Sequence, residues 1–373
     1  MAASFVTSSL HLGHIATAML PLCNNELTER CHHFGLTFVM KHPLKLRTEV
    51  EPLKGREGLI SHNDRILLLG SCFSDNIGSR LEADLFDTVV NPFGALYNPR
   101  SIHLAIQRLA ERNPVTPEEL FQHNGLWHSF YFHSAFSSPS PANALEKMNK
   151  SLIRGAERLH NATVIIITLG SARGFTLKKG IVVANCHKMP AGTFDEFEMD
   201  SCEVDHAVNS AIDTLRSVNK EAKIIFTVSP IRHTGYGMHE NALSKAALLL
   251  GLHRVIKKHP QSAVYFPAFE IMMDDLRDYR FYADDMKHPS TVAVNYIYDI
   301  FLESFTTADT RATALDCRNL TRRMNHRPLS TSPESISAEI DARRKMKENF
   351  LRTYPVTGQA LEEYIANHQV LEL

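Results

Sequence analysis

No run of about 18 apolar residues, the length a membrane-spanning helix needs, occurs in this 373-residue chain, so no such span is expected. A net charge is also missing. Lys and Arg total 40 against 41 for Asp and Glu, and without a strong field neither nucleic acid nor an anionic membrane is an expected partner. The six cysteines (Cys23, Cys31, Cys72, Cys186, Cys202 and Cys317) form no C-x-x-C pair, which removes the zinc-ribbon and thioredoxin-like motifs. Their thin spread is unlike a secreted disulfide framework, so reduced thiols in a cytoplasmic setting are expected. Despite 20 histidines there is no H-x-x-x-H or H-E-x-x-H helix pair. Internal repeats and low-complexity tracts are absent too. What is present is ordinary for a globular protein, 44% apolar and 22% charged residues, in a chain long enough to bury a large core.

The N-terminal stretch has no basic region ahead of its mildly apolar part, which His11, His14 and Pro21 interrupt, so it does not read as a signal peptide. Residues 24–38 show no clear period, and Met40 stands just before a well-patterned region. The expectation is a poorly ordered leader over residues 1–45, a functional domain over 46–305, and an irregular linker with a helical extension over 306–373.

Within the domain, five short apolar runs each stop at a polar or glycine-bearing cluster: residues 65–69, 87–90, 163–169, 223–228 and 263–266. Helical patterns lie between them. Phe73, Ile77, Leu81 and Leu85 recur every four residues, and further stretches fall near 100–112, 143–160, 203–218 and 241–257. A last helix is predicted to begin at Pro289, with Val294, Ile297, Tyr298, Phe301 and Phe305 on one face. Residues 174–184 read as a hairpin turning at Lys178-Lys179-Gly180. The alternation predicts an α/β fold, a doubly wound parallel sheet with helices on both faces. Residues 311–327 read as basic and irregular, residues 328–333 as a Ser/Thr/Pro linker, and residues 335–373 as one or two amphipathic helices.

In such a sheet ligands bind at the carboxyl ends of the strands. Here those ends carry Ser71-Cys72, Asn91-Pro92-Phe93-Gly94, Gly170-Ser171, and Ser229-Pro230-Ile231-Arg232-His233. A thiol or hydroxyl right after a strand, at the start of a helix, meets free N–H groups and a positive dipole end. Both would stabilise an oxyanion and lower a thiol pKa. The same pattern also fits a tight strand–helix turn with an inert cysteine. Asp285 stands three residues before His288, a spacing that lets a carboxylate orient an imidazole as general base, although a solvated acidic turn reads alike. Asn185 and His187 close the hairpin as substrate contacts or as a polar hairpin end. Arg232 and His233 suit a substrate carboxylate or phosphate, or an ion pair with Asp274, Asp275 or Asp278.

Leu69-Gly70-Ser71-Cys72-Phe73-Ser74 resembles the name-giving motif of the GSCFA family, with Ser74 where that name has Ala. The resemblance continues through residues 91–99, Asn185-Cys186-His187-Lys188, residues 229–233, Ser244-Lys245 and residues 276–290, covering about 46–305. That family looks like a branch of the SGNH/GDSL-type hydrolases. The resemblance implies a three-layer α/β/α sandwich with a five-stranded parallel, flavodoxin-like sheet. It further implies a nucleophile–His–Asp mechanism on acyl esters with no cofactor and no metal, and a small-molecule or glycan ester as substrate. Aligning the first-block Gly on Gly70 places Cys72 at the nucleophile; a one-residue slip places Ser71 there. Asp285 and His288 match the last block, and Gly94 matches the second-block Gly, an oxyanion donor. The third block, usually Gly-x-Asn, is Gly170-Ser171-Ala172 and lacks the Asn, for which Asn185 or His187 are candidate replacements. The leading expectation is therefore an esterase-like hydrolase or acyl transferase. Its rivals are a non-catalytic binding module on the same fold, and a metal-dependent hydrolase using some of His187, His233, Asp285 and His288.

Overall fold

A computed structural model describes residues 48–178, 180–326, 332–368 and 370, together with two short strands further upstream. The chain divides into two compact units, Met1–Glu49 and Val50–Leu373. In the first, Leu27–Glu29 pairs antiparallel with Phe38–Met40, Leu27 lying opposite Met40. The rest of the expected leader lies outside the described residues, as do Lys179 of the expected hairpin turn and residues 327–331 of the expected linker.

In the second unit the five apolar runs become strands: β1 (Arg65–Gly70), β2 (Asp87–Val90), β5 (Val164–Leu169), β9 (Lys223–Val228) and β10 (Ala263–Phe266). All pair in parallel in the order β10-β9-β5-β1-β2. The alternation of a strand's side chains sorts the core into two layers. Leu67, Leu69, Ile165, Ile167, Ile224 and Phe226 face α2 (Pro99–Ala110), α3 (Pro141–Asn161), α4 (Ser201–Val218) and α5 (Met238–Lys258). Ile66, Leu68, Val164, Ile166 and Ile225 face α1 (Cys72–Ala83) and α6 (Thr291–Phe305). The protein is thus an α/β/α sandwich with a five-stranded parallel sheet. Its strand order reverses between β1 and β5, and a doubly wound sheet opens its ligand crevice at that reversal.

Between β2 and α3 lies a small ribbon, β3 (Phe121–His123) against β4 (Leu126–His128). Trp127 and Tyr131 pack against the core there and Phe132 is buried within it. After β5, the expected hairpin forms as β6 (Arg173–Leu177) and β7 (Val182–Val183), and a strand not foreseen, β8 (Phe194–Glu198), pairs with the other edge of β6.

Two expectations need correction. The helix expected from Pro289 starts at Thr291. Ser290 is its N-cap, its Oγ accepting the Ala293 N–H at 3.3 Å, while Pro289 bridges to Tyr282 as extended chain. The stretch expected to be irregular after 311 is helix α7 (Ala308–Met324). Its high charge hid the few inward residues, Ala314, Cys317, Leu320 and Met324. One of its arginines is an anchor: Arg318 donates to both oxygens of the buried Asp84 at 2.7 and 2.6 Å, and Tyr298 Oη donates to the same carboxylate at 2.8 Å. Helices α8 (Pro333–Thr353) and α9 (Gly358–Asn367) complete a satellite core around Leu85, Leu361 and Tyr364. Among the described residues no helix is long and apolar enough to cross a membrane.

Candidate active site

β1 delivers Gly70 to the reversal point. Its φ is 137°, and a Cβ there would stand 2.2 Å from Thr168 O, so only glycine lets β1 and β5 stay paired to their ends. The next two residues, the alternatives that the sequence left open, sit differently. Ser71 is fully buried, and its Oγ accepts the Phe73 N–H at 3.3 Å as the N-cap of α1. Cys72 is the first helical residue, half-buried, with Sγ 3.8 Å from His288 Nε2. The Cys72 N–H has no intrahelical acceptor at this position and lies against its own sulfur.

His288 arrives on the loop before α6. Its Nδ1 is 2.5 Å from Asp285 Oδ2, while Asp285 Oδ1 accepts the N–H groups of Lys287 and His288, each at 2.9 Å. The backbone and ring N–H of His288 and the N–H of Lys287 hold this carboxyl well below the usual carboxylate range. The loop is closed on itself by Ala283 N–H to His288 O and Ser290 N–H to Phe281 O, both 2.8 Å. A carboxylate on Nδ1 assigns that nitrogen the proton, so the Nε2 lone pair faces the thiol.

The helix start was expected to lower the thiol pKa, and here the structure differs. Burial pushes the Cys72 thiol up, and the Asp75 carboxylate one turn along adds to this. The Tyr97 hydroxyl, the residue's own N–H and Lys245 pull the other way.

Several expected oxyanion donors are engaged elsewhere. The Gly94 N–H donates to Asn91 O at 2.7 Å within a turn, and a Cβ at Gly94 would lie 2.3 Å from His133 Cβ. The N–H groups of Gly170 and Ser171 both go to Tyr97 O, at 2.8 and 2.9 Å. Ser171 Oγ accepts the Arg173 N–H at 3.0 Å. Asn185 Oδ1 accepts the His187 N–H at 2.8 Å. Both ring nitrogens of the buried His187 are occupied, by Ser129 O at 2.8 Å and Ser134 Oγ at 3.0 Å, and burial pulls its pKa down to about 4. It is a neutral interior peg that ties the loop after β7 to the segment after β4. Arg232 does not form the ion pair foreseen for it. It stacks on Tyr282, 4.7 Å from the ring centroid, and its N–H holds Lys287 O at 3.3 Å, while among the described residues it forms no ion pair. His233 does border the site. Its ring meets Tyr97 edge-on at 5.4 Å, its buried Nε2 has no hydrogen-bond partner, and burial brings its pKa down to about 4.

Two residues beside Cys72 had been given no role. The Tyr97 ring packs on Gly170, where an added Cβ would sit 3.1 Å from its Cδ1, and its hydroxyl is one of the groups that draw the Cys72 thiol pKa down against the rise from burial. No spacing rule marks such a residue. Lys245 is different: it shares the buried stripe of α5 with Leu248, Leu252 and Val255, and a charge on a buried stripe is a readable signal.

Next to the catalytic geometry opens a cleft of about 320 Å³, walled by Tyr97, Phe175 and Tyr236 with Asn98, Asn185 and His233. Its Arg173 is neutralised by Glu196, Glu198 and Glu240. Among the described residues no group of three or more His, Cys, Asp or Glu is placed to hold a metal ion.

The sheet order and the strand-end crevice define a doubly wound α/β/α sandwich protein. The chain belongs to the GSCFA family, whose model matches residues 65–301. No curated protein matches it. Among solved structures it is similar to a carbohydrate esterase family 2 enzyme with a carbohydrate-binding domain from Corynascus thermopiles (Myceliophthora fergusii). The identity is 12%, over 75% of this chain and 71% of that one, and the TM-score of 0.35 is too low to carry an argument.

Proposed function

We propose that this protein is an acyl-ester hydrolase or acyl transferase in which Cys72 is the nucleophile, His288 the general base and Asp285 the residue that orients it. One observation carries the reading: Cys72 Sγ stands 3.8 Å from His288 Nε2 while Asp285 occupies the opposite ring nitrogen at 2.5 Å. His288 Nε2 takes the thiol proton as Sγ attacks the ester carbonyl. The Cys72 N–H and the Tyr97 O–H hold the oxyanion, Tyr97 standing in for the missing third-block Asn. Collapse expels the alkoxide, which recovers the proton from His288 and leaves a thioester on Cys72. Water or an acceptor hydroxyl, deprotonated by the same imidazole, then attacks the thioester and restores the thiol.

The aromatic walls and side-chain amides of the neighbouring cleft, with Arg173 already neutralised, suit an uncharged polar leaving group such as an acylated sugar. Four free cysteines among the described residues accord with a reduced, cytoplasmic setting. The test is covalent labelling with a fluorophosphonate and with iodoacetamide, followed by peptide mapping, alongside intact-mass detection of an acyl-enzyme formed from p-nitrophenyl acetate. The acyl group is expected on Cys72 as a hydroxylamine-labile thioester. Acylation mapped to Ser71, or to no residue of the crevice, would end the proposal.

A further inference from the structure

The mechanism above leaves one buried charge unused. Lys245 is 2% exposed, and its Nζ donates to Gly170 O at 2.6 Å and Ser229 O at 2.7 Å, carbonyls just past the ends of β5 and β9. Both partners are neutral. Among the described residues no carboxylate pairs with this nitrogen; its partner Gly170 lies against the start of α1, where an added Cβ would stand 3.3 Å from Ser71 Cβ, and the neighbour that favours the charged form of Lys245 is the next residue, Cys72. Around Lys245 the other titratable group is His233, which the ammonium helps keep neutral. Around Cys72 they are Asp75 on its own helix, Tyr97 and His288.

A cation buried without a counter-charge is unfavourable unless something makes use of it. Resting on the reading of Cys72 as nucleophile, we propose that Lys245 is a positioning residue for charge: its ammonium is the standing counter-charge for the anion that develops at Cys72. It serves the sulfur during proton transfer to His288 and the oxyanion after attack, acting through the crevice floor without touching substrate. No bond forms to Nζ, and below about pH 7 Lys245 keeps its protons throughout; the thiol proton goes to His288. In a dry interior a fixed cation is worth far more to a nearby anion than it is in water.

Burial brings the Lys245 pKa down to about 7, so the ammonium yields a proton as pH rises through that value while the thiol is intact. A thiolate at Cys72 opposes that loss. The two ionisations therefore support each other, and Cys72 reacts as a thiolate below its own raised pKa.

The test follows iodoacetamide alkylation of the Cys72 peptide against pH in wild type, Lys245→Gln, His288→Ala and the double variant, with folding checked by near-UV circular dichroism. Gln keeps N–H donors for Gly170 O and Ser229 O but carries no charge, so a mere tie between strand ends predicts an unchanged alkylation profile. The proposal predicts a loss of about tenfold or more at about pH 6, where Lys245 is charged, the equivalent of one pKa unit. It also predicts that His288→Ala, on its exposed loop, keeps a reactivity at about pH 6 that the double variant loses. A folded Lys245→Gln protein with the wild-type profile overturns it. Should Lys245→Gln not fold, a His288→Ala protein whose Cys72 is inert below about pH 9 overturns it equally, and one whose Cys72 still reacts supports it. Failure of the underlying reading would look different: Cys72→Ala would retain full ester turnover whatever the alkylation profiles show.

Discussion

Substituting Ser71 and Cys72 one at a time should separate stability from activity cleanly, because adjacent residues do opposite jobs. Ser71→Ala removes the oxygen that accepts the Phe73 N–H and caps α1 at a position with no solvent access. Loss of a cap costs about 0.5–2 kcal/mol, and the buried donor left behind places this case near the upper end, ~2 kcal/mol. At roughly 2 °C per kcal/mol for a unit this large, the melting temperature should fall by about 4 °C. Turnover should drop only a few-fold, through the altered helix start. Cys72→Ala deletes a half-buried sulfur at the crevice, so its stability change should stay within about 1 kcal/mol. Turnover should fall by about a thousandfold or more, since the bond-forming atom is gone. Melting by scanning fluorimetry and hydrolysis of p-nitrophenyl acetate read the two axes. If Ser71→Ala abolishes turnover in a folded protein while Cys72→Ala retains it, the nucleophile is the serine and the register is displaced by one residue.

Tyr97→Phe keeps the ring against Gly170 and removes the hydroxyl beside Cys72, so kcat should fall about a hundredfold with KM nearly unchanged; a fall confined to KM would remove Tyr97 from the oxyanion site. His187 is neutral when folded, with a pKa brought from 6.5 to about 4, so the unfolded chain takes up its proton first as the pH drops. Its contribution is fully present above pH 6.5 and is lost as the pH falls toward 4, at up to about 1.4 kcal/mol per pH unit. Urea melts of wild type and His187→Gln over that window should therefore converge as the pH falls, and parallel curves would refute the assignment. Arg318→Ala leaves the buried Asp84 carboxylate with only Tyr298, which should cost about 3–5 kcal/mol and loosen α7, seen as faster amide exchange there; unchanged exchange would show that the ion pair is not the latch.

How much of this could be read in the chain depended on whether the signal was local. The five strands were legible because each is a run of β-branched and aliphatic residues that ends at a helix-capping or turn residue, as Leu69 does before Gly70 and Ser71. The Asp285–His288 spacing was legible because a three-residue separation places the carboxylate on the ring whatever surrounds the loop. Helix α7 was hidden because its inward face is narrow and one of its arginines, Arg318, is spent on a distant acid, Asp84. Lys245 left a signal, a charge on an apolar stripe, whose purpose depends on which carbonyls it meets.

The sequence by itself determined the elements, their alternation and the strand ends at which chemistry gathers, because hydrophobic period and turn residues act within a few positions. Tertiary structure decided which of those groups are free to react. Gly94, Gly170, Ser171, Asn185 and His187 each look available in a string of letters. Each is committed in the folded chain, to Asn91, Tyr97, Arg173, His187 and Ser129 respectively. Whether a buried polar group has a vacant valence depends on partners far along the chain, as His288 lies 216 residues from Cys72. Only the assembled sheet, with its order reversed between β1 and β5, brings such partners within hydrogen-bonding range.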